Sequence, residues 1–149
     1  MNALLAACGG FLLAVLWFDL MFDAQVLRHR ASAVVPEPAL ASIAAYYRRV
    51  TVEAHPMSRL VALVMVILVA GAVADLVGSP GSRARPALAL ALGAAPIALA
   101  AARTVPNAVR LGRRADPLET QSALARAICR DHLACLAAIA AFVALQLLP

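Results

Sequence analysis

Trp17-Phe18-Asp19-Leu20-Met21-Phe22-Asp23 closes an apolar run that carries no charge from Met1 to Phe18. A run of that length suits a helix crossing a hydrocarbon core of about 30 Å, which takes about 20 residues. The two carboxylates at its end stand four residues apart, so they share one helix face. Ionisable groups beside an apolar span are costly there; they face a protein interior and mark a site or an ion pair. The rest of the chain must therefore supply partners for Asp19 and Asp23.

Outward from this stretch the chain continues in the same character. Further apolar runs cover about 60–78, 87–106 and 128–148. Hydrophobic residues make up 64% of the chain, against roughly 45–50% in soluble domains, and the mean hydropathy is +0.86. The expected architecture is all-α: residues 1–149 form a single four-transmembrane-helix bundle with cytoplasmic helical extensions, the helices running about 3–30, 38–78, 84–112 and 117–148. Gly78-Ser79-Pro80-Gly81-Ser82 is a compact turn signal, so the second and third helices pair as a hairpin.

Every basic residue is Arg, and their placement sets the expected topology. Arg28, Arg30, Arg48, Arg49 and Arg59 surround the first connection, and Arg103, Arg110, Arg113, Arg114, Arg126 and Arg130 the third. Only Arg83 and Arg85 mark the second. Positive charge collects on the cytoplasmic side, so the expected location is a bacterial cytoplasmic membrane, multi-pass, with N- and C-termini outside. The formal charge of +5 reads as topology and headgroup contact, and no nucleic-acid partner is expected, for no basic face carries interleaved aromatic or groove-reading residues. Leu5-Ala6-Ala7-Cys8 resembles a lipoprotein box, but its apolar run follows the cysteine and no basic residue precedes it, so neither lipidation nor signal cleavage is expected.

The connections carry helix signals of their own. After Pro36-Glu37-Pro38, the positions Leu40, Ile43, Tyr47 and Val50 form an apolar stripe at helical spacing. Tyr46 and Tyr47 are expected at headgroup level, where aromatic belts sit. Asp116-Pro117-Leu118-Glu119 reads as N-cap, N1 and N3 of the last helix. Pro96 predicts a bend in the third helix. Small residues recurring every four positions (Ala6, Gly10 and Ala14; Ala94, Ala98 and Ala102; Ala137 and Ala141) predict close helix contacts.

With this topology the polar groups of all four helices meet at one cytoplasmic mouth. The candidate catalytic residues are Asp19, Asp23, His132 and Asp131, since carboxylates and imidazole held in low dielectric serve as acids and bases. Trp17, Arg103, Asn107, His55 and Arg126 are the candidate substrate-binding residues around them. The competing expectation is an ion-pair network in which Asp19 meets Arg103 or an Arg of the last helix, because buried charges must be paired. His29, His55 and His132 form no HxxxH or ExxH pair on one helix, so no metal or cofactor is expected.

The segments Val105-Pro106-Asn107-Ala108-Val109-Arg110-Leu111 and Arg126 to His132 resemble those of small four-helix membrane proteins of the anthrone-oxygenase-like group. The resemblance extends to chain length and to the amphipathic segment before the second span. It implies a cofactor-free oxygenase or a related membrane protein, with Asn107, His132 and nearby Arg close to the pocket. The chain departs from the group in having no Trp at the start of the last helix; its Trp is Trp17.

Three functional classes follow. The first binds or oxidises a hydrophobic substrate at the polar mouth; the second is a small proton-coupled transporter with a polar path to Asp75; the third is a non-catalytic subunit or assembly partner. Expected partners are the lipid bilayer, a hydrophobic small molecule, and a second copy or another membrane protein. An enzyme predicts an apolar cavity ending at Asp19, Asp23 and His132, whereas a subunit predicts fully paired charges and exposed small-residue faces.

Overall fold

In the computed structural model, which describes residues 2–148 apart from the side chain of His55, every regular element is helical. Helix α1 (Asn2–Asp23) runs on into a 3-10 segment, Ala24–His29. Helix α2 (Glu37–Arg48) ends in a π-helical turn, Arg49–Glu53, and breaks at Ala54 before α3 (His55–Gly78). Helix α4 (Ala84–Leu99) passes through a second π-helical turn, Ala100–Thr104, into α5 (Val105–Arg113). Helix α6 (Leu118–Leu147) completes the chain. The stretches Asn2–His29, Pro56–Gly78, Ala84–Arg113 and Leu118–Leu147 are each long and apolar enough to cross a membrane. The protein is a multi-pass, four-helix membrane bundle, with large apolar side chains such as Leu63, Val66 and Leu88 on its outer surface.

Helix α6 packs on both α1 and α4, and α3 closes the ring against α4 and α1. Within the spans the core is Leu5, Leu12, Leu68, Ile139 and Phe142. The close approaches are made by glycines outside the expected register. A Cβ on Gly9 would lie 2.5 Å from Val143 Cγ2, and one on Gly93 would lie 2.6 Å from Leu68 Cδ2. By contrast Gly10, Ala14, Ala98, Ala102, Ala137 and Ala141 are exposed. Spacing alone identifies a small-residue stripe but not the side it presents; here large neighbours fill the inner faces, and only the absent glycine side chains make room for them.

At the α2 end of the bundle a second core joins the spans to the helical extensions. Leu40, Ile43 and Tyr47 from α2 pack with Leu111, Ile128, Val26 and Val35, which is where the apolar stripe of α2 goes. Gly112 of α5 lets α2 approach closely, since a Cβ there would stand 3.0 Å from the Arg48 backbone nitrogen. Arg126 donates to the carbonyls of Ser32 at 2.6 Å and of His29 and Ala33 at 3.2 Å, and Ser122 Oγ accepts from the Val35 amide at 3.0 Å. These bonds tie the loop after α1 to α6.

The start of α6 differs from its expected form. Pro117 holds the N-cap position and makes no side-chain cap bond, while the Asp116 carboxylate takes two hydrogen bonds from Arg110, at 2.7 and 2.8 Å. A bidentate guanidinium outcompetes one backbone N–H for the same oxygens, and those bonds hold the Asp116 carboxyl below its ordinary range.

Candidate functional site

The acids of the opening stretch find their partners in α2 and α6. Asp23 is fully buried; its Oδ1 accepts from the Tyr47 hydroxyl at 2.6 Å, and its Oδ2 lies 2.7 Å from His132 Nδ1. Asp19, one turn earlier and half-buried, accepts from the Tyr46 hydroxyl at 2.7 Å. His132 Nε2 stands 3.8 Å from Asp19 Oδ2. Among the described residues neither carboxylate meets an arginine, so the expected Asp19–Arg103 ion pair is replaced by phenols and an imidazole. The reason is reach. Arg103 sits on the second π-helical turn beside α6 and binds Asp131 through two nitrogens, one at 2.8 Å, with Thr104 Oγ1 adding a bond at 3.3 Å.

The hydrogen-bond pattern assigns roles within the cluster. With the Asp23 carboxylate as acceptor, the 2.7 Å contact is a hydrogen bond donated by Nδ1–H of His132. Nε2 is then the ring nitrogen on the side of Asp19 and the cavity. At 3.8 Å from Asp19 it is beyond hydrogen-bonding distance. A carboxylate behind an imidazole fixes its tautomer and orientation, the arrangement that makes the distal nitrogen a base.

The phenols of Tyr46 and Tyr47 are held firmly in the protonated form. Burial raises both above the ordinary value; for Tyr46 the Asp19 charge adds to this, and for Tyr47 the Asp23 charge. They therefore act as donors to the acids. Tyr46 also stacks on Phe22 at 4.1 Å, which ties α1 to α2 at the level of the cluster.

Beside the cluster lies a cavity of about 570 Å³. Its walls are apolar over most of their extent, with Leu12, Leu16, Val61, Met65, Ile97 and Ile139 among the lining residues. At its polar end stand Asp19, Tyr46, Tyr47, His132, Thr51 and Thr104. Asp23 does not line it and acts from behind His132. Both π-helical turns contribute to the wall, through Val50 and Thr51 and through Ala100 and Thr104; such turns displace side chains from helical register and recur at functional sites. Pro96 also lines the cavity, and its carbonyl accepts from the Cys135 thiol at 3.7 Å.

The structure thus brings Asp19, Asp23 and His132 together and disperses the other expected residues. Asp131 is buried against Arg103 and Thr104, one residue from His132 but facing away from the cavity. Trp17 is 64% exposed on the outer face of α1, because a helix turns about 100° per residue and Asp19 faces inward. Asn107 is half-buried outside the cavity lining, and Arg126 is engaged by the loop carbonyls after α1. The side chain of His55 lies outside the described residues. No group of three or more His, Cys, Asp or Glu among the described residues is placed to hold a metal ion.

Tyr46 and Tyr47 belong to this candidate site, although the sequence pointed to headgroup level for both. Instead of meeting headgroups, they turn inward to the two acids. The signal was present in the α2 stripe, where Tyr47 shares a face with Leu40 and Ile43. Comparisons with family models, curated proteins and solved structures return no match.

Proposed function

We propose that the protein is a membrane-embedded enzyme acting on a hydrophobic small molecule, with His132 as its general base. The observation that carries this reading is the cavity of about 570 Å³ that ends on Asp19, Tyr46 and His132. Pockets of a few hundred Å³ with mostly apolar walls and a few convergent polar groups are the usual form of small-molecule sites. In this reading the substrate sits with its polar, proton-yielding part toward Nε2 of His132. Asp23 compensates the imidazolium that forms, and Asp19 stabilises the same charge from the cavity side.

The resemblance to anthrone-oxygenase-like proteins supports a specific outcome for the abstracted proton. A methylene flanked by aryl or carbonyl groups loses a proton to Nε2, and the carbanion passes electrons to molecular oxygen. Overall CH2 and O2 become C=O and H2O, with no cofactor in the balance. The same reading places the mouth on the cytoplasmic side of a bacterial inner membrane, where the Arg-rich connections belong. A carrier is less well supported, for on α3 the lining of the main cavity ends at Met65, about 15 Å along the helix from Asp75, and the recess beyond it is lined by apolar side chains.

Oxygen uptake by the purified protein in detergent, with an anthrone as substrate, tests the proposal. His132→Gln should lower the rate by at least about 100-fold, the usual contribution of a general base. No uptake above the buffer rate, or an undiminished rate in His132→Gln, would remove the catalytic reading.

A further inference from the structure

A second, shallower recess of about 360 Å³ lies on the lipid-facing side between α3 and α4, lined by Met65, Val66, Val69, Ala70 and Ile97. Met65 and Ile97 also line the main cavity, so the two adjoin across these side chains. The α3 residues that border this path run from Met57 through Val61 and Met65 to Val69, all at four-residue spacing. At 1.5 Å per residue this apolar track is about 18 Å long. It begins beside the polar cluster and ends in the recess open to lipid, where Val66 is exposed.

We infer that the ligand of this site is a chain-bearing phenol or quinol, its ring in the main cavity and its alkyl or isoprenoid tail along α3 into the recess. This rests on the proposed function for the ring end and adds the tail. The length of the track argues for a tail, since a compact polycycle fills the cavity without needing the recess. The polar end argues for a head that donates hydrogen bonds. Asp19 and His132 present acceptors there, the Tyr46 and Tyr47 hydroxyls are already committed to the acids, and among the described residues no cationic Arg lines the cavity. An anionic head, a fatty carboxylate or a phosphodiester, would face the Asp19 carboxylate in low dielectric, with Asp23 close behind His132.

The test uses 4-methylphenol, 4-dodecylphenol and dodecanoate with the full chain in one detergent, reading each apparent Kd as a ratio to wild type so that micelle partitioning cancels. Ala70→Phe fills the recess from an exposed position that does not line the main cavity, and Val66→Phe does so from a neighbouring one. Both should weaken 4-dodecylphenol by at least about fivefold, through lost tail contacts, and leave 4-methylphenol unchanged. If both phenols bind in a His132-dependent way but the two Phe variants leave 4-dodecylphenol unaffected, the tail assignment is overturned and the proposed function stands. Dodecanoate weakened by His132→Gln and Ala70→Phe as much as 4-dodecylphenol is overturns the donor head. If His132→Gln weakens neither phenol, the ring placement fails and both readings fall.

Discussion

His132 and Asp23, 109 residues apart in the chain, meet at 2.7 Å between Nδ1 and Oδ2 with the carboxylate fully buried. Their contact joins the end of α1 to the middle of α6 and orients the one imidazole that reaches the cavity from α6. The Tyr47 hydroxyl, 2.6 Å from the other carboxylate oxygen, completes the set. Because these buried polar groups satisfy one another's hydrogen bonds, each member is sensitive to loss of its neighbour.

The two tyrosines should differ in what their hydroxyls contribute. Tyr47→Phe leaves the fully buried Asp23 one donor short, which costs about 1–3 kcal/mol. Tyr46→Phe deprives the half-buried Asp19, which solvent or headgroups can still reach, and should cost less. Thermal unfolding in detergent measures both, and an equal or larger loss for Tyr46→Phe would contradict the burial argument.

Alkaline pH should weaken the fold through the same phenols. Both pKa values are raised above the ordinary 10.0 by burial first and then by the neighbouring acid. The folded state therefore holds its phenolic protons where the unfolded chain releases them. Their contribution is complete below about pH 10 and declines as pH rises above it toward the folded values. The chain has two tyrosines, so phenolate absorbance reports on these alone. The folded protein should show no phenolate signal at pH 10, where the denatured chain is half titrated; matching titration curves would refute the shift.

Adjacent glycines in α1 offer a paired test of the helix contact. A Cβ on Gly9 meets Val143 Cγ2 at 2.5 Å and Phe142 Cδ1 at 3.2 Å, while one on Gly10 meets nothing within 4 Å. Gly9→Ala should destabilise by about 1–3 kcal/mol, the usual cost of overpacking. Gly10→Ala should be neutral or gain up to about 1 kcal/mol from helix propensity. Resistance to unfolding in SDS distinguishes the two, and a loss in Gly10→Ala as large as in Gly9→Ala would show that packing against α6 is not the cause.

Much of the bundle was legible from local chemistry. Uninterrupted apolar runs can span a membrane only as helices when their backbone groups must be satisfied internally, so the four spans follow from residue order, as does the Gly78 to Ser82 turn. The stripe of α2 likewise announced a buried face, which Leu40, Ile43 and Tyr47 occupy. Helix-end details were less legible. Asp116 had the right position for a cap, but Arg110 reaches it only in the folded connection.

The sequence by itself determined the class of the molecule, the number of spans, and that Asp19 and Asp23 share a face needing partners, because those properties depend on hydropathy and on the 3.6-residue period. Only the tertiary structure decided which groups answer the acids. More arginines than acids lie near that end of the bundle, and counting charges favoured an ion-pair network. The packing of α2 across α1 and α6 instead places Tyr46, Tyr47 and His132 within 2.6–2.7 Å of them, while Arg103 is drawn to Asp131. Charge can be read from composition, but partner choice depends on helix rotation and depth, and these are set by side chains distant in the chain.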